Sequence, residues 1–415
     1  MRLAAIDCGT HSIRLLISDY DPANPDSRPT DIVRLTQIVG LGQGVDKTGE
    51  LAPDALARTF AALEEYAAYI REAGCDRIRM VATSASRDAT NFFEFSTGVE
   101  ARLGITPEVI SGHEEATLGF RGTLSAHPNL ASPVLVVDIG GGSTEFSFGT
   151  VGVAGASGSD LPCGSGDSAR ANSEFGTVAP PADKRGSKES GEYPYEAAPE
   201  PNASPTSIQP RRARETNPAH LPDSAKISGT PLLNPHDLQR PRLKAAISMN
   251  MGSTRVTERY LRPSENAAGV PSRDAFHEAR SFVDGLISEA ARTVPLAEAR
   301  ELVGVAGSVT TLTALGLGLD KYDPARINGA VLSSSKLRKL ARDLIMMPRE
   351  EKAALGPMHP KRVDQIAGGV LVWERILAYL EENPGPDSSG KARGDFPVRT
   401  SENDILDGII LALAD

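Results

Sequence analysis

The stretch LVVDIGGGSTEF, residues 135–146, decides the fold. Two strand-like runs flank three consecutive glycines, with Asp138 before them and Glu145 after. Glycine lets a backbone approach a ligand to hydrogen-bond distance and adopt positive φ. Successive N–H groups in such a turn form a concave anion site. A strand follows the glycines, whereas a dinucleotide-binding fingerprint requires a helix there. No Gly-Lys-Ser/Thr is present, so this is not a Walker-type loop.

The stretch has an earlier echo. LAAIDCGTHSIRLLI (3–17) lies without gaps over VLVVDIGGGSTEFSF (134–148), and Asp7 to Ser12 has the spacing of Asp138 to Ser143. One glycine turn alone would be an ordinary tight hairpin. Two copies matching in strand, turn and second strand point to a duplication, and hence to two domains facing a phosphate from both sides. Ser12, Ser143 and Thr144 can add hydroxyls. Glu145 shares Ser143's face by strand alternation. Two acids beside a phosphate loop repel phosphate unless a cation lies between them, and hard oxygen ligands suit Mg²⁺. The plainer alternative for Asp138 is a turn cap.

Around these hairpins strands and helices alternate, as in α/β architecture. RLAAIDCG and IRLLISDY read as a hairpin, ALARTFAALEEYAAYIREAG as a helix ending on glycine, RIRMVATSA, TPEVISG and ELVGVAG as strands, and HEEATLGFRGTL, SVTTLTALGLG, SSSKLRKLARDLIMM and VDQIAGGVLVWERILAYLEE as helices. Residues 151–242 differ: they hold 13 of the 30 prolines and little apolar periodicity. That composition predicts a disordered insertion in a surface hairpin loop.

The bulk numbers narrow the classes. With 415 residues and 40% hydrophobic content the chain supports two packed domains. A net charge of −10 argues against a nucleic-acid-coating protein. No apolar run is long enough for a membrane helix, and the N-terminus does not read as a signal peptide. Three scattered cysteines, Cys8, Cys75 and Cys163, fit neither a disulfide framework nor a zinc site, so a cytoplasmic location is expected.

Further loops carry chemistry. In ISGHEEATLGF, Ser111 followed by Glu114 reads as a capping box. That leaves Glu115 without a capping duty, able to serve as a general base or to be a surface glutamate favoured by the helix dipole. Arg87 in VATSASRDATN is placed to fork onto a phosphate or to form a solvated salt bridge. Gly307 and Ser308 open a helix, a ready anion site. His359, Lys361 and Arg362 form a cationic cluster of no evident purpose.

Together, AAIDCGTHSIRLLI, LGQGVDKTGEL, VATSASRDA, EVISGHEEATL, VVDIGGGSTEF, GSTRVTERYL, GVAGSVTTL, RVDQIAGG and SENDILDGIIL resemble the Ppx/GppA family, exopolyphosphatases and guanosine pentaphosphate phosphohydrolases of the actin/Hsp70/sugar-kinase superfamily. The resemblance implies duplicated actin-like, ribonuclease H-like domains with a cleft between them. The first covers 1–120 joined by about 400–415, the second 121–399, in the short two-domain form. It implies Glu115 as general base with Arg87 as a phosphate-binding arginine beside it, and Asp138 and Glu145 as acids linked to a divalent cation. The phosphate loops are Asp7, Gly9, Thr10, His11, Ser12 and Gly140, Gly141, Gly142, Ser143, with Gly307 and Ser308 as further substrate ligands. The cofactor expected is Mg²⁺ or Mn²⁺, with a monovalent cation as a further candidate, and a homodimer is expected. His11 departs from the family's usual asparagine and would give a pH-dependent charge. Gly40 departs from a frequent arginine, which weakens the expected hold on substrate.

The activity expected is hydrolysis of the terminal phosphoanhydride of polyphosphate. Its rivals are the same chemistry on pppGpp, an actin-like or kinase-like ATPase, and a non-catalytic polyphosphate or alarmone sensor.

Overall fold

The computed structural model describes residues 1–24, 27–151, 241–387 and 389–415. The first lobe opens with β1 (Arg2–Cys8), β2 (Ser12–Asp19) and β3 (Thr30–Ile38), an antiparallel meander. It continues through α1 (Val45–Thr48), α2 (Pro53–Ala73), β4 (Arg77–Ala82), α3 (Ser84–Asp88), α4 (Phe92–Leu103), β5 (Glu108–Val109) and α5 (Gly112–Ala126). The second lobe has β6 (Val134–Ile139), β7 (Thr144–Thr150), β8 (Arg242–Met249) and α6 (Ser253–Val256), which runs into a wider turn at Thr257–Leu261. Then come α7 (Arg273–Thr293), β9 (Glu301–Val305), α8 (Ala306–Gly316), α9 (Pro324–Ile327), β10 (Val331–Ser333), α10 (Ser334–Ile345), α11 (Arg349–Ala353), α12 (Ile366–Glu382), β11 (Pro397–Thr400) and α13 (Ile405–Ala414).

The first sheet has the order β3-β2-β1-β4-β5. The second, read from the other edge, is β8-β7-β6-β9-β11-β10. In each, three antiparallel strands are followed by two parallel to the first. That shared order is the ribonuclease H-like arrangement, present twice, so the fold is the duplicated actin-like α/β fold. The central strands are apolar on both faces because helices cover both sides: β6 reads VLVVDI with all but Asp138 buried.

Three differences from the sequence reading have physical causes. TPEVISG gives only a two-residue strand, because Ser111 caps the next helix so soon after it. The 151–242 segment was drawn too wide: Val151 packs half-buried against Val134 and Val303, and Arg242 opens β8 opposite Thr150. Residues 152–240, and the disorder predicted there, lie outside the described residues. RIRMVATSA ends as a strand at Ala82, and Ser84 already starts α3.

Helix α13, from the far end of the chain, covers the first sheet: Ile405, Ile409 and Ile410 pack on Leu3, Ala5 and Leu16. It crosses α5 so closely that a Cβ on Gly122 would lie 1.9 Å from the Asp404 carbonyl oxygen, and one on Gly408 2.0 Å from that of Leu118. Phe120 and Leu124 of α5 reach the second sheet. The crossing therefore ties the lobes together beneath the site. Among the described residues no helix is long and apolar enough to cross a membrane.

Candidate active site

The two hairpin turns meet. An added Cβ on Gly141 would lie 2.9 Å from Thr10 Cβ, and one on Gly142 2.4 Å from Ser84 Oγ. Between and beneath them is a polar cavity of about 160 Å³, lined by both turns and by Glu115, Asp138, Arg14, Arg362 and Asp404 among others.

The second turn presents amides to this cavity for a definite reason. Ser253 N–H donates to Gly140 O at 2.9 Å, Thr254 N–H to Gly141 O at 2.8 Å and Gly252 N–H to Gly142 O at 3.0 Å. In a trans peptide the N–H points opposite to the C=O. The amides of Gly141, Gly142 and Ser143 are thus turned away from α6, toward the cavity. Gly252 must be glycine for this contact, since a Cβ there would sit 2.3 Å from the Gly141 carbonyl.

Glu115 lies in the first turn of α5, whose N-cap Ser111 accepts from Glu114 N–H at 3.1 Å. Only half of the capping box forms: the Glu114 carboxylate goes to Arg79 at 2.8 Å. Glu115 lines the cavity and its Oε2 accepts from Arg87 Nη1 at 2.8 Å. Burial pushes the Glu115 carboxyl up to about 7, with Arg87 pulling the other way. Arg87 also donates to Ile110 O at 2.9 Å and is absent from the cavity wall. The structure gives it Glu115 as its partner, where the sequence reading offered a phosphate or a solvated salt bridge.

Four more carboxylates cluster here. Asp7 accepts twice from Arg14, at 2.6 and 3.0 Å, through Oδ2, while its buried Oδ1 has no partner. Arg14 also pairs with Asp404, the N-cap of α13. Asp138 is raised to about 8 by burial first, then by Asp404, with Arg14 opposing. Glu145 accepts from Ser248 at 2.7 Å and is raised well above its ordinary value by burial and by Glu115 and Asp138. It sits behind the cavity wall, so of the two predicted metal acids only Asp138 faces the cavity.

This donor set fits a divalent cation. It has hard oxygens, an orphaned buried Oδ1, and carboxyls pushed up chiefly by burial. Among the described residues no three His, Cys, Asp or Glu side chains form a ready cage.

His11 is not the pH-dependent cation expected. Burial and the neighbouring Arg362 and His359 push it down to about 4, so it is neutral, with Nε2 buried and unpartnered. Its carbonyl accepts from Val39 and Gly40 N–H. Gly40 adopts φ 61°, a left-handed conformation that disfavours arginine there. Gly9, Ser12, Gly307 and Ser308 also line the cavity. Arg362, left without a purpose by the sequence, packs on Gly307, donating to its carbonyl and to Thr311 Oγ1 at 2.8 Å. Sequence reasoning missed Arg14 and Asp404. Arg14 was legible as the cross-strand partner of Asp7 in the first hairpin. Asp404, 390 residues from Arg14, carried no local signal.

With this geometry the chain is an actin-like α/β protein with a polar cleft between two glycine turns. It belongs to the Ppx/GppA phosphatase family, whose sequence model matches residues 17–170 and 239–400. Exopolyphosphatase 2 of Mycobacterium tuberculosis is 34% identical over 418 residues, covering 100% of this chain and 98% of the relative. The crystal structure of an exopolyphosphatase-like protein superposes with a TM-score of 0.72 at 33% identity, covering 99% of this chain and 97% of that one. A guanosine-5'-triphosphate,3'-diphosphate pyrophosphatase of Vibrio cholerae is 34% identical over 146 residues, 35% of this chain and 28% of the relative.

Proposed function

We propose that this chain is an exopolyphosphatase, a phosphoanhydride hydrolase that releases orthophosphate from the end of inorganic polyphosphate. The observation that carries it is the inward amide edge of residues 141–143 opposite Thr10, His11 and Ser84, with Glu115 on the same cavity. Full-length likeness to an exopolyphosphatase supports the same substrate.

The terminal phosphoryl group sits against the amides and the Ser143 hydroxyl, which stabilise charge on its equatorial oxygens. Glu115 accepts a proton from the attacking water. A new P–O bond forms, the terminal anhydride P–O bond breaks, and the shortened chain leaves with the electron pair. Arg87 fixes the rotamer of Glu115 and keeps it ionisable near neutrality. Asp7 and Asp138 would hold a divalent cation, Mg²⁺ or Mn²⁺, which when bound offsets phosphate charge. Neutral His11 offers a donor to a phosphate oxygen.

The cavity wall is built mostly of glycine, serine, threonine and charged groups; besides the His11 imidazole it carries the ring of Tyr322, whose hydroxyl is tied to Thr310 and Glu402. This favours a phosphate chain over the guanine of pppGpp. The described cysteines, Cys8 and Cys75, are free thiols, consistent with a cytoplasmic setting. The deciding assay measures phosphate release from long polyphosphate and from pppGpp, with and without Mg²⁺. Glu115→Gln is expected to lose at least about a hundredfold in kcat while still binding polyphosphate. Undiminished turnover by that variant would overturn the assignment of the base, and turnover of pppGpp alone would overturn the substrate.

A further inference from the structure

Helix α6 does more than satisfy the carbonyls of the glycine turn. Arg255 Nε donates to Gly142 O at 3.0 Å. Its two terminal nitrogens cross to the first lobe, pairing with Asp46 of α1 and, at 2.5 Å, with Asp88 of α3. Arg259 adds a pair to Asp46 at 3.3 Å, and Glu258 accepts from the N–H of Gly44 at 3.1 Å. The Arg255 side chain is 12% exposed and that of Asp46 16%, so this pair is poorly screened, while Asp88 is more open to solvent. One guanidinium thus fixes a peptide plane of the phosphate turn and holds the lobes together at the same time.

We propose that Arg255 is a positioning residue coupling closure of the cleft to the shape of the 140–143 turn. With the lobes together, Asp46 and Asp88 orient the guanidinium so that Nε meets Gly142 O, and the Ser143 amide is held toward the cavity. With the lobes apart, the guanidinium loses both carboxylates, and the Gly142–Ser143 peptide loses its side-chain restraint. The turn is then fully formed only when the cleft is closed. Arginine suits this because its planar fork serves three acceptors at once, which an ammonium cannot do in one fixed geometry. The consequence for catalysis rests on the exopolyphosphatase reading. The coupling itself does not.

The test compares the parent with Arg255→Ala, Arg255→Lys, Asp46→Asn/Asp88→Asn and the triple variant in two ways. Phosphate release from polyphosphate is resolved into kcat and KM. Lobe separation is read by spin labels at Glu72→Cys and Glu289→Cys, both exposed sites, in a Cys75→Ser/Cys163→Ser background. The double aspartate variant is expected to raise KM about tenfold, shift the label distance outward and lower kcat about threefold, since the guanidinium loses the carboxylates that aim Nε at Gly142 O. Arg255→Ala is expected to change KM and the label distance likewise and to lower kcat about tenfold. Arg255→Lys should restore part of KM but not kcat. Adding the aspartate changes to Arg255→Ala should cost only what the Arg259–Asp46 pair contributes, well short of the product of the separate effects. Parent-like kinetics in Arg255→Ala, or effects that simply multiply, would overturn the coupling. If the parent released no phosphate from polyphosphate, the functional reading would fail instead. The label distances would then decide the coupling alone, unchanged distances in the aspartate variant sinking it. The aspartate variant also keeps the test open if Arg255→Ala does not fold.

Discussion

Asp7 and Asp138 hold the same place in two copies of one hairpin, yet their cross-strand partners have opposite charge: Arg14 in the first copy, Glu145 in the second. The first copy is thereby neutralised within itself, and the second is left short of positive charge. Asp138 is pushed up to about 8, by burial first and then by Asp404, with Arg14 opposing. The duplicated motif thus differs in charge between its two copies. Glu115 sits between, and Arg87 is what lowers its carboxyl from a still higher value. Arg87→Met is therefore expected to move the acidic limb of kcat/KM to higher pH. The loss should be larger at pH 6 than at pH 8, because fewer molecules then carry the ionised base. A pH–rate profile checks this. An equal loss at both pH values would mean that Arg87 acts on the substrate and not through Glu115.

Among the elements, the two glycine hairpins were legible because strand alternation and glycine turns are local signals, and repetition raised them above chance. The helix α2 was legible for the same kind of reason, an amphipathic period closed by Gly74. What was not legible is what long-range packing decides. Only the family resemblance joins about 400–415 to the first domain, and nothing near α13 in sequence says that Asp404 meets Arg14. The four residues of α6 are too few to show a period, and their task is to meet the carbonyls of a turn about a hundred residues earlier. The α5–α13 crossing offers a direct trial. Gly122→Ala places a methyl 1.9 Å from the Asp404 carbonyl, and a backbone atom cannot swing aside. The expected cost is about 1–3 kcal/mol of stability. Activity should fall as well, since moving α13 pulls Asp404 from Arg14. Urea unfolding and phosphate release measure the two, and a variant of parental stability would show that the crossing is looser than it looks.

At the scale of the whole molecule, the acid cluster sets how stability responds to pH and to cations. Glu115 is raised to about 7 and Asp138 to about 8, both chiefly by burial. The folded state thus holds protons that the unfolded chain has already shed above about pH 4.5. Stability from these groups is complete below their unfolded pKa and is lost as pH rises through the folded values. His11 and His127, each lowered to about 4, act in the opposite sense, but only between 4 and their unfolded value of 6.5. The clean window is therefore pH 6.5 to 8, where the carboxyls titrate and those two histidines do not. There the metal-free protein is expected to lose stability with rising pH, at up to about 1.4 kcal/mol per pH unit for each proton involved. Mg²⁺ should oppose this loss, stabilising more at pH 8 than at pH 6.5, because it favours the ionised carboxylates that the empty cluster resists. Asp138→Asn should flatten the metal-free slope and raise stability at pH 8 by roughly 1–2 kcal/mol while abolishing activity. Urea titrations at several pH values, with chelator and with Mg²⁺, decide it. Metal-free stability that climbs between pH 6.5 and 8 would mean that these acids are already paired by charges within the protein, and that no cation is needed to complete the cleft.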